Sequence, residues 1–212
     1  MNDVWEFGEK PLAQTERCAA ALRRVAELVL RMEGPSPLVD DLVAHLERAG
    51  SELEGMVPPD PAPRVGDAVD GPGRVYLDHA RGVADYNPAF PPYDLRVDGN
   101  SATATVRFGV LHEGPPGCVH GGFVSLLFDL VMQQHNCDVG VAGKTTRLEV
   151  DYRAPTPLFT DLVVTVERSV DAGRIRSTAV LGHGDVTCCT ATMEAVAGRR
   201  GSLPAVSARR PS

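Results

Sequence analysis

At 212 residues, 43% of them hydrophobic, the chain is long enough for one domain with a full core plus an appendage. A net charge of −7 argues against a dedicated nucleic-acid binder, and no apolar run is long enough to span a bilayer. The polar, acidic start Met1–Lys10 lacks the pattern of a secretory or transit leader, and the five cysteines carry no C-x-x-C spacing, so a reducing cytoplasm is the expected setting, without a disulfide framework or a metal site.

Residues 11–33 repeat apolar side chains at helical spacing (Leu22, Val25, Val29, Met32), and Gly34-Pro35 ends that helix. A second helix opens with Ser36 as N-cap and Pro37 at the first helical position, with Leu38, Leu42, Leu46, Ala49 and Leu53 along one stripe. Two such amphipathic helices must bury their stripes on each other, on the main domain or on a partner. Residues 1–56 therefore read as a helical extension. Residues 57–92 read as a Pro/Gly-rich linker and irregular lead-in, and 198–212 as a disordered basic tail.

Between them, 93–197 is β-patterned around one helix. Tyr93–Asp98 and 102–110 flank the turn Asp98-Gly99-Asn100, a helix covers 121–137, and strands follow at 144–153, 162–170, 174–182 and 185–197. In 144–153 strict alternation puts Thr146, Leu148, Val150 and Tyr152 on one face, and Thr145, Arg147, Glu149 and Asp151 on the other. The adjacent Cys188 and Cys189 point to opposite faces by the same rule. The helix is apolar almost all round, so an antiparallel sheet should curl about it, an α+β architecture.

The segment Gly114-Pro115-Pro116-Gly117-Cys118-Val119-His120-Gly121-Gly122, leading into that helix, carries the chemistry. A helix start offers free N–H groups and a positive dipole end, and two glycines leave it open to an approaching oxygen. Asp129 sits mid-helix among apolar residues, where an ionised carboxylate costs several kcal/mol or more unless partnered. A base or nucleophile together with an oxyanion site suggests acyl transfer. Asp129 lies roughly 10 Å along the helix axis from the Gly122 amide. One carbonyl cannot meet both within one helix, so the two groups must come from different subunits of a two-fold assembly.

His120-Gly121-Gly122, an aspartate nine positions after that histidine, and Tyr152-Arg153-Ala154-Pro155-Thr156-Pro157-Leu158 resemble the hotdog-fold acyl-CoA thioesterases of the PaaI-type branch, over about residues 88–197. The Gly-Pro-Pro-Gly lead-in and Thr145, sixteen positions after the aspartate, look like that branch's mammalian mitochondrial members. The resemblance implies an antiparallel sheet wrapped around a long central helix, here with an N-terminal helical extension. It implies an acyl-CoA substrate, no cofactor beyond the coenzyme A that the substrate carries, and a homodimer or dimer of dimers. One departure stands out: some relatives hold the attacking water with an asparagine six positions before the histidine, where this chain has Gly114.

Under this reading Asp129 is general base or nucleophile, and the Gly122 amide, with Gly121, polarises the carbonyl. Thr145 holds the water or Asp129, and His120 marks the helix start. Ser125, Asp129 and Gln133, at i, i+4 and i+8, form a polar stripe toward the subunit seam, with Phe123, Leu126, Leu127 and Leu130 toward the sheet or an acyl tunnel. Ser125, Gln133, Thr146 and Arg153 are candidate substrate contacts, Arg153 toward the coenzyme A phosphates. Each has a plainer alternative: a structural carboxylate paired to an arginine for Asp129, close helix packing for the glycines, a helix cap for His120, and a solvated or hydrogen-bonded ring for His112. Two other functions stay open, an acyl-thioester hydratase and a non-catalytic acyl-CoA-binding or partner-docking protein.

Overall fold

The computed structural model describes residues 13–57, 83–139 and 144–196, and the backbone of short strand segments flanking them. In chain order the elements are β1 (Glu6–Phe7), α1 (Ala13–Val29), α2 (Pro37–Glu54), β2 (Arg64–Asp67), β3 (Arg74–Tyr76), β4 (Tyr93–Asp98), β5 (Ser101–Arg107), α3 (Gly121–Asp138), β6 (Gly143–Tyr152), β7 (Asp161–Asp171), β8 (Arg174–His183), β9 (Val186–Ala197) and β10 (Ser207–Ala208).

Six strands form one antiparallel sheet in the order β4-β5-β7-β8-β9-β6. Two strands, a helix and four strands is the order expected from the sequence. The β7–β8 turn puts Ala172 and Gly173 at φ 46° and 79°, the left-handed pair that a tight hairpin requires. Along β5, β7 and β8 burial alternates residue by residue. Ala104, Leu162, Val164, Leu181 and Met193 present one face of the sheet to Leu127, Phe128, Val131 and Met132 of α3, all at 0% exposure. Leu126 and Leu130, expected to face the sheet or an acyl tunnel, are half-buried, unlike the fully buried Leu127.

Two bulges override strict alternation. On β6, Thr145 pairs with Ala195 and Arg147 with Glu194, so Thr146 is an extra residue. On β9, Leu181 pairs with Cys189 and Gly182 with Thr187, so Cys188 is extra and both cysteines are buried, not opposed as expected. A Cβ at Gly182 would stand 2.4 Å from the Val186 carbonyl oxygen, so the second bulge needs a glycine there.

Two short strands pair inside the segment read as a linker, β2 antiparallel to β3, and β10 of the tail runs parallel to β2. The rest of the tail, with Arg199-Arg200 and Arg209-Arg210, lies outside the described residues. Among the described residues no helix is long and apolar enough to cross a membrane.

The helical extension is tied to the sheet domain by polar contacts. The Arg23 guanidinium on α1 donates to the carbonyls of Ala84, Asn87 and Phe90, the Asn87 bond at 3.0 Å. Glu27 accepts the N–H groups of Val110 and Leu111 at 2.9 and 3.1 Å. Gly109 leaves room for that carboxylate, since a Cβ there would lie 2.3 Å from Glu27 Oε1. α2 starts at Ser36, whose hydroxyl accepts the Leu38 N–H at 3.3 Å, and buries no residue fully. It faces α1 across an apolar groove lined by Leu22, Val25, Val29, Val39, Leu42 and Leu46.

Two expectations follow. Glu27→Ala leaves two N–H groups without their acceptor and should lower stability by about 2–3 kcal/mol, measured as a shift of the denaturant midpoint. Gly109→Ala should reproduce most of that loss, and combining the two should add little, because both break the same contact. His112, expected to be solvated or hydrogen-bonded, is 1% exposed and lies edge-on between Phe108 and Phe123. Burial holds its imidazole below the ordinary 6.5, with Glu27 opposing in part. The unfolded chain then binds the extra proton first, so stability falls as pH drops through about 6.5 toward the lower folded value. His112→Phe should flatten urea midpoints compared at about pH 7.5 and about pH 5.5.

Candidate active site

The loop before α3 folds back on itself. Gly114 N–H donates to Cys118 O, Cys118 N–H to Pro115 O, and His120 N–H to His112 O. Position 114 packs so closely that a Cβ would stand 2.7 Å from His120 Cα. The asparagine that some relatives carry at this point therefore has no room in this loop. His120 is extended (φ −64°, ψ 131°) and caps the helix, its Nδ1 accepting the Gly122 N–H at 3.0 Å. It thus stands in the cap role that was its plainer alternative.

That cap divides the two glycines. The Gly122 N–H is committed to His120, whereas the Gly121 N–H meets no acceptor among the described residues. Tyr152, at the end of β6, lies over this turn. Its hydroxyl donates to Gly121 O at 2.9 Å and stands 2.8 Å from Ser125 Oγ. The half-buried Gly121 leaves just enough room, because a Cβ there would lie 3.1 Å from the Tyr152 ring. Beside the turn opens a cleft of about 460 Å³, lined by Pro115, Cys118, Gly121, Tyr152, Arg153 and Thr156. Arg153 is exposed at its rim, with Asp151 3.4 Å away.

Two turns along α3, Asp129 is half-buried and its Oδ1 accepts the Thr145 hydroxyl at 2.7 Å. Thr145 in turn accepts from Gln133 Nε2 at 2.6 Å. Strict alternation would have turned Thr145 away from the helix. The extra residue at Thr146 turns it inward, beside Ala195 and Met193. The same bulge sends Thr146 outward, where its exposed hydroxyl donates to Glu194 O at 3.1 Å, away from α3. Gln133, expected on the polar stripe toward the subunit seam, is 7% exposed within one protomer.

The predicted residues therefore fall into two groups on one helix. Gly121, Gly122, His120, Ser125 and Arg153 gather at its start, and Asp129, Thr145 and Gln133 two to three turns along; Thr146 belongs to neither. Two polar neighbours of the second group escaped sequence reading. Arg168 Nε donates to Asn136 Oδ1 at 2.7 Å, with Asn136 0% and Arg168 9% exposed. The signal for Arg168 was present: Leu162, Val164, Val166 and Arg168 share the inward phase of β7, so the arginine occupies a core position. Burial lowers its guanidinium from the ordinary arginine range. Burial, with Asp138 beside it, pushes the Cys137 thiol up to about 12, and burial raises Cys188 and Cys189, so these three are held as thiols.

No protein-family model and no curated protein matches the chain. Solved structures do. The chain is similar to a crystal structure described as a thioesterase superfamily protein, with 29% identity over 91% of this chain and all of the other, at a TM-score of 0.69. That coverage necessarily takes in part of the helical extension as well as the sheet. It also matches a hypothetical thioesterase protein with coenzyme A from Streptococcus pneumoniae TIGR4 (20% identity, 51% of this chain and 91% of that one, TM-score 0.47). A third match is thioesterase superfamily member 2 from Mus musculus (14% identity, 50% and 82%, TM-score 0.47). In fold, in motif and in this near-full-length likeness, the chain resembles the thioesterase superfamily.

Proposed function

We propose that the protein hydrolyses acyl thioesters of coenzyme A to the free acid and coenzyme A, in a site that two protomers build together. The observation that carries this reading is the split of the candidate groups into two incomplete half-sites on α3. Among the described residues the Gly121 N–H meets no acceptor, and the cleft beside it is lined without Asp129. Asp129 is held by Thr145 but lies roughly 12 Å along the helix from Gly121. A base and an oxyanion donor each need to stand ~3 Å from one thioester group. A second α3 running antiparallel beside the first supplies the missing half to both. The half-buried Leu126 and Leu130, flanking Asp129, suit the seam of such a homodimer.

In this site Asp129 takes a proton from water as the water oxygen bonds to the carbonyl carbon. Negative charge builds on the carbonyl oxygen and is met by the partner protomer's Gly121 amide. Collapse breaks the C–S bond and expels the coenzyme A thiolate, which takes a proton from solvent as Asp129 returns its own to solvent and is a carboxylate again. The same placement serves a variant in which the carboxylate attacks the carbonyl and water then hydrolyses the mixed anhydride. The commitment of the Gly122 N–H to His120 favours Gly121 over Gly122 as the oxyanion donor. Arg153, exposed at the rim of the cleft beside the helix start, is the candidate for the coenzyme A phosphates. The motif further resembles the PaaI-type branch, and an odd set of cysteines without C-x-x-C spacing favours the cytoplasm. One observation favours a second reading, acyl-CoA binding without turnover: the closely packed Gly114 leaves no side chain there to hold a water.

Thiol release from a panel of acyl-CoAs separates the two. Hydrolysis by the wild type, reduced on the order of 10²–10⁴-fold in Asp129→Asn, is expected; binding without release favours the second reading. Gly121→Pro removes one N–H at the first helical position, where the extended His120 suits a residue before proline, and Gly121→Ala beside it brings the same Cβ against the Tyr152 ring while keeping the N–H. Gly121→Pro should cost on the order of 10²–10³ in rate. Mixing Asp129→Ala and Gly121→Pro chains should restore about a quarter of wild-type sites, since half the dimers are mixed and each holds one intact site. No gain over the single variants would refute the shared site.

A further inference from the structure

Arg168 is 9% exposed, its buried Nη2 has no hydrogen-bond partner among the described residues, and none of the ion pairs among those residues includes it. Burying a cation without a partner is costly. Four hydrogen bonds lead away from it. Arg168 Nε donates to Asn136 Oδ1 at 2.7 Å, and Asn136 Nδ2 to Gln133 Oε1 at a long 3.5 Å. Gln133 Nε2 donates to Thr145 Oγ1 at 2.6 Å, and Thr145 Oγ1 to Asp129 Oδ1 at 2.7 Å.

The two ends allow this chain one polarity only. A guanidinium can only donate, and a carboxylate can only accept. Thr145 must spend its single proton on Asp129 and accept from Gln133. Gln133 must then turn its NH₂ to Thr145 and its oxygen to Asn136. Asn136 turns its oxygen to Arg168. Every dipole along the path points the same way, and aligned hydrogen bonds in a low-dielectric interior strengthen one another.

We infer that Arg168 is a positioning residue for Asp129, acting through Asn136, Gln133 and Thr145. The cation at one end holds the Thr145 proton on Oδ1 and fixes the plane of the carboxylate. Oδ2, which has no partner among the described residues, is left to meet the attacking water or carbonyl carbon. The inference rests on the reading of Asp129 as the reacting carboxylate.

A double-mutant cycle on an acyl-CoA that the wild type hydrolyses tests it. Thr145→Val cuts the path at the carboxylate, and Arg168→Met removes its source. Because Arg168→Met alone leaves Asn136 without its donor, the paired change Arg168→Met/Asn136→Leu runs beside it, leaving no orphaned partner on that bond. Either change should lower kcat about tenfold with KM held within about twofold. Made on top of Thr145→Val, either should cost less than about twofold more. Arg168→Lys, which keeps a cationic donor, should hold kcat within about threefold of wild type. An arginine that only supports the fold would lower the thermal midpoint and leave the kcat of the folded protein unchanged, or add its full loss to that of Thr145→Val; either result overturns the inference. Failure of the underlying reading looks different. Asp129→Asn would then hydrolyse as fast as wild type, or the wild type would not hydrolyse at all, and the inference falls with it.

Discussion

The hydrogen bond from Thr145 to Asp129 is the contact on which the rest of the site depends. A carboxylate in the middle of an apolar helix must be met by a donor or be neutralised. Here the donor comes from a neighbouring strand, not from the helix itself, and it reaches the carboxylate only because β6 carries one extra residue. Without the bulge the hydroxyl would face outward with Arg147 and Glu149. The strand irregularity and the helix polarity are therefore one device, each meaningless without the other.

The opposite end of α3 obeys a second constraint. A helix start leaves amide protons without intrahelical acceptors, and each must find a partner or meet solvent or ligand. His120 takes one of them through its side chain. The tight return of the loop at Gly114 holds His120 in place and closes the space where another side chain might reach the same region. Among the described residues the Gly121 amide stays open, framed by the Tyr152 hydroxyl and the cleft toward Arg153. In the oxyanion role proposed for it, a donor held in this way would need no reorganisation as charge develops.

The helical extension is also bound into this frame. Glu27 anchors α1 to the backbone at Val110 and Leu111, and His112 on the same turn supports the His120 amide. The extension is thus two contacts from the start of α3. Its stability and the geometry of the helix start are linked through one short loop, and the near-full-length likeness to a thioesterase superfamily protein takes in part of both.

Period-2 and period-3.6 patterns made the helices and all six strands of the main sheet legible within a few residues, because alternation and turn chemistry are local properties of the chain. The helix start, Asp129 and its distance from the glycines were legible for the same reason: rise per residue is a constant. Only tertiary structure decided which face Thr145 and Thr146 take, that both Cys188 and Cys189 are buried, that the Gly122 amide is occupied while the Gly121 amide meets no acceptor among the described residues, and that Asn136 joins Gln133 to Arg168 inside. Each of these turns on a register shift, a loop closure or a contact between strands far apart in sequence. Such features are set by how the sheet and helix fit together, and no window of neighbouring residues encodes them.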